Sequence, residues 1–399
     1  MAKALVIGFG VSGKSAAKFL CKKGYEIETY DNDPEKKGAF VFYSNVDDVN
    51  TDYELAVLSP GVPLDHPVVK KMNDAKIELI GEIELACRYL NQPMIGITGT
   101  NGKTTVTLLV THVLNECGIK AIALGNVGTP LTTEIDQDKV IVCELSSYQL
   151  ETLFSKPLNQ AAILNITPDH LDRYETMDRY AQAKFLIQRN IKSDGLLVID
   201  KRSMDAFGEY HHFKNTIVVP SLKTHDLENA YAAFELVKPY GITEEEFNQA
   251  YKTFRKPPHR IEYIAEYEGV KFYDDSKGTN IDATLRAVSA INEPLVLIAG
   301  GVDKGFPYSG WIEPFKGKVK KIIAIGAAAP KIEKDLKEHI PVECVSSLKE
   351  ATLNAFQSAK KGETVLLSPG CSSLDMFKDY ADRGRQFQAF VRGIIEGKV

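Results

Sequence analysis

The segment Met94-Ile-Gly-Ile-Thr-Gly-Thr-Asn-Gly-Lys-Thr-Thr105 leaves this chain few folds to choose from. Apolar Met94 to Ile97 reads as a buried strand and Lys103 to about Cys117 as a helix. The turn between them then has the strand–loop–helix setting of a phosphate cradle. Without side-chain bulk at Gly99 and Gly102, the backbone N–H groups of Gly99, Thr100, Asn101 and Gly102 can converge on phosphate oxygens at the start of the helix, beside Thr105. Lys103 adds a mobile positive charge, and the hydroxyl of Thr104 a ligand for the Mg²⁺ that accompanies a nucleoside triphosphate. Ile97 stands where a strict GxxxxGK[ST] pattern has glycine, so this is a phosphate loop of a particular subtype.

The 399 residues exceed one ordinary hydrophobic core and predict two or three domains. A composition of 44% hydrophobic and 25% charged residues is that of a soluble globular protein. The net charge of −5 argues against nucleic acid as a partner, because a general binder needs a basic face to displace phosphate counterions. No apolar run approaches 18 residues, so no membrane segment is expected. The opening Met1-Ala-Lys-Ala-Leu-Val-Ile-Gly runs into a glycine-rich turn and Lys14, where a secretory apolar region would not be broken. Six cysteines without metal-type spacing read as reduced, mostly buried thiols of a cytoplasmic protein.

Short Val/Ile/Leu runs alternate with helical patterns throughout. Ala4–Ile7, Glu26–Tyr30, Leu55–Leu58 and Ile77–Ile80 are expected strands of a first parallel sheet. The Asn91-Gln-Pro93 break precedes the phosphate-loop strand, after which come strands at Val140–Cys143 and Ala161–Leu164 and a long helix from about Thr176 to Ile191. A second break, Lys256-Pro-Pro-His-Arg260, resists helix and sheet alike. Beyond it the alternation resumes at Lys271–Tyr273, Leu295–Ala299, Ile322–Ile325 and Thr364–Leu367. The expected architecture is α/β, with three domains carrying largely parallel sheets: a Rossmann-like domain (1–92), a central P-loop ATPase-like domain (93–257) and a Rossmann-like C-terminal domain (258–399).

Gly8-Phe-Gly10-Val-Ser-Gly13 matches GxGxxG between a strand and a helix, and Asp31 ends the next strand. Alone this suggests a nicotinamide dehydrogenase; beside a separate triphosphate loop it fits the diphosphate of another nucleotide-bearing ligand, or a tight turn that binds nothing. Ser59-Pro-Gly61 ends another strand, where ligands of parallel sheets gather. In the middle segment, Gly125-Asn126-Val-Gly128 follows the loop, and Glu144 closes an apolar strand where a carboxylate can hold Mg²⁺. Asp169 and His170 lie just beyond a further strand end, where an imidazole serves as ligand or base. By periodicity alone Lys184 would be a solvated lysine.

Taken together, Thr98–Thr105, Glu144-Leu-Ser-Ser-Tyr-Gln-Leu-Glu151 and Asp169-His-Leu-Asp-Arg-Tyr174 closely resemble the Mur ligases, ATP-dependent amide-forming enzymes of peptidoglycan synthesis. The turn Asp275-Ser-Lys277-Gly-Thr279-Asn280 and the later Gly300-Gly-Val-Asp-Lys304 look like the D-glutamate-adding branch. The resemblance reverses the reading of Lys184: it implies a carbamylated lysine that, with His170, binds a second Mg²⁺, while Thr104 and Glu144 serve the first. It also implies that Asn229 contacts adenine and Asp275 the ribose, and that Arg260 and Lys277 reach phosphate or acyl-phosphate oxygens from the third domain, domain closure assembling the site. Gly10, Val11, Ser12, Asp31, Gly61 and Asn126 are implied contacts of the UDP-bearing substrate, UDP-N-acetylmuramoyl-L-alanine. Thr279, Lys304, Ser373 and Tyr380 match positions expected to hold D-glutamate. His170 is in addition a candidate to accept a proton from the attacking amine. No motif implies a protein partner, and a monomer is expected.

The chain departs from the family pattern at Asp226, where Asn is usual, and at Tyr380, where Phe is usual. Asp33 lies near a spot where a basic residue often assists the uracil nucleotide, so either weaker nucleotide affinity or a contact made elsewhere is expected. A ligase for another amino acid, a dehydrogenase and a non-catalytic nucleotide-binding scaffold are the rival readings.

Overall fold

The computed structural model describes residues 2–135, 138–305 and 307–398. Three sheets organise them. The first is built from β1 (Lys3–Ile7), β2 (Glu26–Tyr30), β3 (Val41–Tyr43), β4 (Leu55–Leu58) and β5 (Glu78–Gly81), ordered β3-β2-β1-β4-β5 and parallel throughout. The second uses β6 (Met94–Thr98), β7 (Ala121–Gly125), β8 (Val140–Glu144), β9 (Leu158–Ile163), β10 (Ile191–Asp200) and β11 (Thr216–Val219). Its order is β11-β10-β9-β6-β8-β7, again all parallel. The third uses β12 (Glu262–Tyr267), β13 (Val270–Asp274), β14 (Leu295–Gly300), β15 (Val319–Ile325), β16 (Val342–Cys344) and β17 (Thr364–Leu367), ordered β12-β13-β17-β14-β15-β16. Every pairing there is parallel except the edge hairpin β12–β13.

The central strands follow from their composition. Met94 to Thr98 is buried at every residue, as a parallel strand covered on both faces must be. Helices Lys103–Glu116 and His225–Val237 cover one face through Val106, Leu109, Val110, Val113 and Leu236. Each such side chain contributes about 1.5–3 kcal/mol by leaving water.

Two local expectations are corrected. The helix read as running from Thr176 to Ile191 is α-helical only over Met177–Phe185. Leu186–Asn190 tightens into a 3-10 turn and Ile191 begins β10, because Arg189 and Asn190 turn inward to donate to the carbonyl of Leu153. The third sheet also has the antiparallel edge strand β12, which the sequence pattern did not reveal; Glu268 and Gly269 form its two-residue turn, both at positive φ (51° and 78°).

The chain separates into two compact units. Met1–Ile166 and Asp178–Phe254 form the first, holding the first two sheets; Thr167–Met177 and Arg255–Val399 form the second, holding the third. Within the first unit the two sheets are joined by buried carboxylates. Glu82 accepts from the N–H and hydroxyl of Thr132, and Glu84 from the N–H groups of Phe154 and Ser155. Among the described residues no helix is long and apolar enough to cross a membrane. All six cysteines are free thiols; Cys87, Cys143 and Cys371 are buried, whereas Cys21 and Cys344 are exposed.

Candidate active site

The first unit carries the phosphate loop between β6 and the helix Lys103–Glu116. Gly102 caps that helix in the left-handed region (φ 87°), and a Cβ there would meet Asn229 Oδ1 at 2.9 Å. Asn229, on helix His225–Val237, therefore sits directly against the loop. Asn165 shapes the loop from the end of β9: its carbonyl accepts from Thr100 N–H at 2.8 Å, its Oδ1 from Asn101 N–H at 2.8 Å, and its Nδ2 donates to Asn101 O at 2.9 Å. The Lys103 ammonium donates to the carbonyls of Gly99 and Thr100, at 2.8 and 2.9 Å, which holds the charge over the cradle. Thr104 and Thr105 occupy the first turn, half-buried.

Glu144 ends β8, whose register sets it opposite Ile97 beside the loop strand. It is buried, and Asn126 Nδ2 donates to its Oε1 at 2.7 Å. Its Oε2 is buried with no hydrogen-bond partner among the described residues. A buried carboxylate oxygen left over in this way fits a hard divalent cation.

Lys184 is 1% exposed, which corrects the periodicity-based reading of a solvated lysine. It lies on the inner face of helix Met177–Phe185, its ammonium donating to Gly99 O at 2.9 Å and lying 4.5 Å from the centre of the Tyr180 ring. Periodicity missed this because Tyr180, Ala181, Ala183 and Phe185, buried with it, spread around the helix and mark no single inner face in the sequence, and a lone lysine carries no sign of its direction.

The glycine-rich turn of the first sheet opens a cleft of about 390 Å³ at the carboxyl ends of β1, β2 and β4. Gly10, Asp31 and Gly61 line it, together with Ser59, Lys36 and His66. Val11 and Ser12 begin the adjoining helix Val11–Lys22. Gly13 is required by packing, since a Cβ there would lie 1.9 Å from Gly8 O. Asp31 accepts from Phe9 N–H at 2.7 Å and from Lys36 Nζ at 3.1 Å. Burial opposes its charge, but the N–H groups of Asp33 and Phe9 and the Lys36 ammonium hold its carboxyl below the usual range. Lys36, from the 3-10 turn capped by Asp33, thus brings to the cleft a cation that position 33 lacks.

In the second unit, His170 adopts φ 55° at the head of a short helical turn, Leu171–Tyr174. Its N–H donates to Asp169 Oδ1. The Asp169 carboxylate accepts from Lys304 Nζ at 2.8 Å and from Asn280 Nδ2 at 3.1 Å. Asp275 follows β13 and is buried; Ser368 Oγ donates to it at 2.7 Å. Burial pushes its pKa up to about 7, with the Ser368 hydroxyl and the Arg260 charge opposing the rise. Lys277 Nζ lies 4.2 Å from the centre of the Tyr380 ring, Thr279 is half-buried, and Ser373 is buried in the loop after β17.

Comparison with known families agrees along the chain. Residues 2–81 match the Mur ligase MurD-like N-terminal domain, 97–258 the Mur ligase middle domain, and 259–371 the Mur ligase glutamate ligase domain. The chain belongs to the Mur ligase family. The UDP-N-acetylmuramoylalanine--D-glutamate ligase of Protochlamydia amoebophila is 48% identical to this Mur ligase over 436 aligned positions, covering 98% of each chain. The enzyme of the same name from Caldicellulosiruptor bescii is 38% identical, covering 98% of this chain and 97% of its own. Among solved structures, UDP-N-acetylmuramate-alanine ligase MurC from Thermotoga maritima shares the fold with a TM-score of 0.64 at 16% identity, covering 99% of this chain and all of its own (100%).

In the first unit of this Mur ligase, Gly99 to Thr105, Asn229 and Lys184 meet at the loop, with Asn126 and Glu144 at the end of the neighbouring strand. In the second, Asp275, Lys277, Thr279, Lys304, Ser373 and Tyr380 belong to the region beyond the carboxyl ends of β13, β14 and β17. Sequence reasoning gave no role to Asn165, Tyr180, Lys36 or Asp169. Of these, Asn165 left a signal as a polar residue directly after an apolar strand run, and Asp169 as the acid of the Asp169-His170 pair beyond that strand.

Proposed function

We propose that this Mur ligase joins D-glutamate to UDP-N-acetylmuramoyl-L-alanine with consumption of ATP, in peptidoglycan precursor synthesis. The observation that carries the reading is 48% identity, spanning 98% of both chains, to a ligase named for that reaction. The site chemistry supports it. A carboxylate is a poor electrophile, so its oxygen first attacks the γ-phosphorus of ATP, releasing ADP and giving an acyl phosphate. The amine of D-glutamate then attacks the acyl carbon, losing a proton, and phosphate leaves as the amide forms. With several anions held together, positioning and charge neutralisation supply most of the acceleration.

Residues 1–92 bind the UDP-bearing substrate through Gly10, Val11, Ser12, Asp31 and Gly61, with Asn126 from the central segment. Residues 93–257 bind ATP through Gly99 to Thr105 and Asn229, Lys103 neutralising the transferred phosphoryl group. Mg²⁺, when bound, offsets phosphate charge; Thr104 and Glu144 would hold one ion, in keeping with the leftover Glu144 oxygen. Lys184 is proposed to be carbamylated, its amine adding CO₂ with loss of a proton, which turns a buried cation into an anionic ligand for a second ion. Residues 258–399 supply Arg260 and Lys277 for phosphate and acyl-phosphate oxygens, Asp275 for the ribose, and Thr279, Lys304, Ser373 and Tyr380 for D-glutamate. His170 is assigned as a metal ligand, or as acceptor of the amine proton. We place the reaction in the cytoplasm and the active form as a monomer.

Phosphate release from ATP with Mg²⁺ and UDP-N-acetylmuramoyl-L-alanine tests the reading, comparing D-glutamate, L-glutamate and no amino acid. Release that requires D-glutamate, with the dipeptide product, is the expected result. Release only with another amino acid would overturn the substrate, and nucleotide binding without turnover would favour a scaffold.

A further inference from the structure

Arg383 lies in the first turns of helix Tyr380–Ile395 and is fully buried, 0% exposed. Taking a guanidinium out of water is unfavourable unless its donors are well matched. Here the hydrogen bonds found among the described residues go to a hydroxyl and to backbone carbonyls. Nε donates to Ser276 Oγ at 3.0 Å and Nη2 to Ser276 O at 2.8 Å. Nη1 and Nη2 both reach Cys371 O at 3.2 Å, and Nη1 approaches Gly300 O at 3.5 Å. Burial pulls its pKa down to about 10, which leaves it charged at neutral pH.

The three acceptor residues stand at or just beyond the ends of three neighbouring parallel strands. Ser276 follows β13, Gly300 ends β14 and Cys371 follows β17, in a sheet ordered β13-β17-β14. One residue beyond Ser276 is Lys277, four beyond Gly300 is Lys304, and two beyond Cys371 is Ser373. The same loops bond one another: Gly370 N–H donates to Gly278 O at 2.9 Å and Val302 N–H to Ser372 O at 2.8 Å. Ser276 Oγ in turn donates to Tyr380 O at 2.7 Å, tying the start of the helix into the set.

We propose that Arg383 is a positioning residue that fixes the spacing of Lys277, Lys304 and Ser373 by bonding the backbones of their three loops to one helix. This rests on the D-glutamate reading above. The planar fork of five donors suits acceptors spread over three loops, whereas a lysine keeps the charge but cannot reach Ser276 and Cys371 in the same geometry. Arg383 touches no substrate group in this scheme and acts through the loops.

The test uses the full-length chain with Arg383→Lys and Arg383→Ala. For Arg383→Lys, the KM for D-glutamate is expected to rise about tenfold or more and kcat to fall, while the KM for the UDP-bearing substrate stays within about twofold. Turnover by Arg383→Ala is expected to recover in part with methylguanidinium and not with methylammonium. Amide hydrogen exchange is expected to speed up at Lys277–Thr279 and Cys371–Ser373 and to stay unchanged in β15. Wild-type KM and kcat in a folded Arg383→Lys protein would overturn the proposal. So would a mere drop in active fraction at unchanged KM. Should the wild-type chain show no D-glutamate-dependent turnover, the reading of the reaction fails, and loop exchange alone then decides on Arg383: no acceleration would refute it.

Discussion

Lys304 and Asp169 form a charge pair in the second unit, Nζ to Oδ1 at 2.8 Å, with Asn280 holding the other carboxylate oxygen. Burial works against the charge on Asp169, but the Lys304 ammonium, His170 and Asn280 outweigh it and hold the carboxyl below the usual range. Lys304, proposed as one of the D-glutamate contacts, thus already holds a carboxylate at hydrogen-bond distance. Replacing it should act on amino-acid binding. Lys304→Met is expected to raise the KM for D-glutamate by about 10- to 100-fold, the scale of one charged hydrogen bond, with the KM for ATP nearly unchanged. Steady-state kinetics with each substrate varied in turn checks this; an equal rise in both values would remove Lys304 from the amino-acid site.

Lys184 offers a chemical test. As its ammonium is buried beside Gly99 O, loss of the side chain removes the proposed carbamate without disturbing the surface. Lys184→Ala should lose most activity and regain part of it with added formate or acetate, which can occupy the place of the carbamate. A fully active mutant that no carboxylate improves would sink the modification.

Asp275 predicts a pH dependence of stability. Its folded pKa of about 7 lies above the value of an exposed aspartate, so the native state keeps a proton that the unfolded chain has lost between about pH 4 and 7. In that window the unfolded state binds fewer protons, and stability falls as pH rises. Below it both states are protonated; above it neither is. Urea unfolding from pH 4 to 8 should show a decline on the order of a few kcal/mol that Asp275→Asn lacks. Equal slopes in the two proteins would contradict the assignment.

Gly13→Ala targets the cleft proposed to take the UDP-bearing substrate. The new methyl group would lie 1.9 Å from Gly8 O, a clash between backbone and Cβ that no rotamer relieves. Separation of the helix Val11–Lys22 from β1 should cost about 1–3 kcal/mol by urea unfolding. The same shift should raise the KM for the UDP-bearing substrate more than that for ATP. Wild-type stability would mean that the turn adapts at no cost.

Much of the site was legible because its chemistry is written in contiguous residues. Gly99 to Thr105 and Gly8 to Gly13 stand out in the sequence because a turn able to cradle phosphate needs backbone freedom at fixed short spacing. The strands Leu55–Leu58 and Thr364–Leu367 coincide with their expected bounds because buried parallel strands read as nearly continuous apolar runs, and Glu26–Tyr30 coincides through its alternating apolar and β-branched residues. The edge strand β12 escaped, as half-exposed Glu262–Tyr267 has little apolar contrast.

Sequence by itself determined the chemistry available to this protein: the phosphate loop, the carboxylate at the end of β8, and the alternation that makes its sheets parallel. Tertiary structure alone decided which side chains leave water and what they meet. Lys184 is solvated by periodicity and buried in fact, Asp169 is held by Lys304 from 135 residues away, and Arg383 bonds to Ser276, 107 residues before it. Such pairings follow from how helices and the loops beyond the strand ends pack once the whole chain has folded, and no local pattern in the sequence carries them.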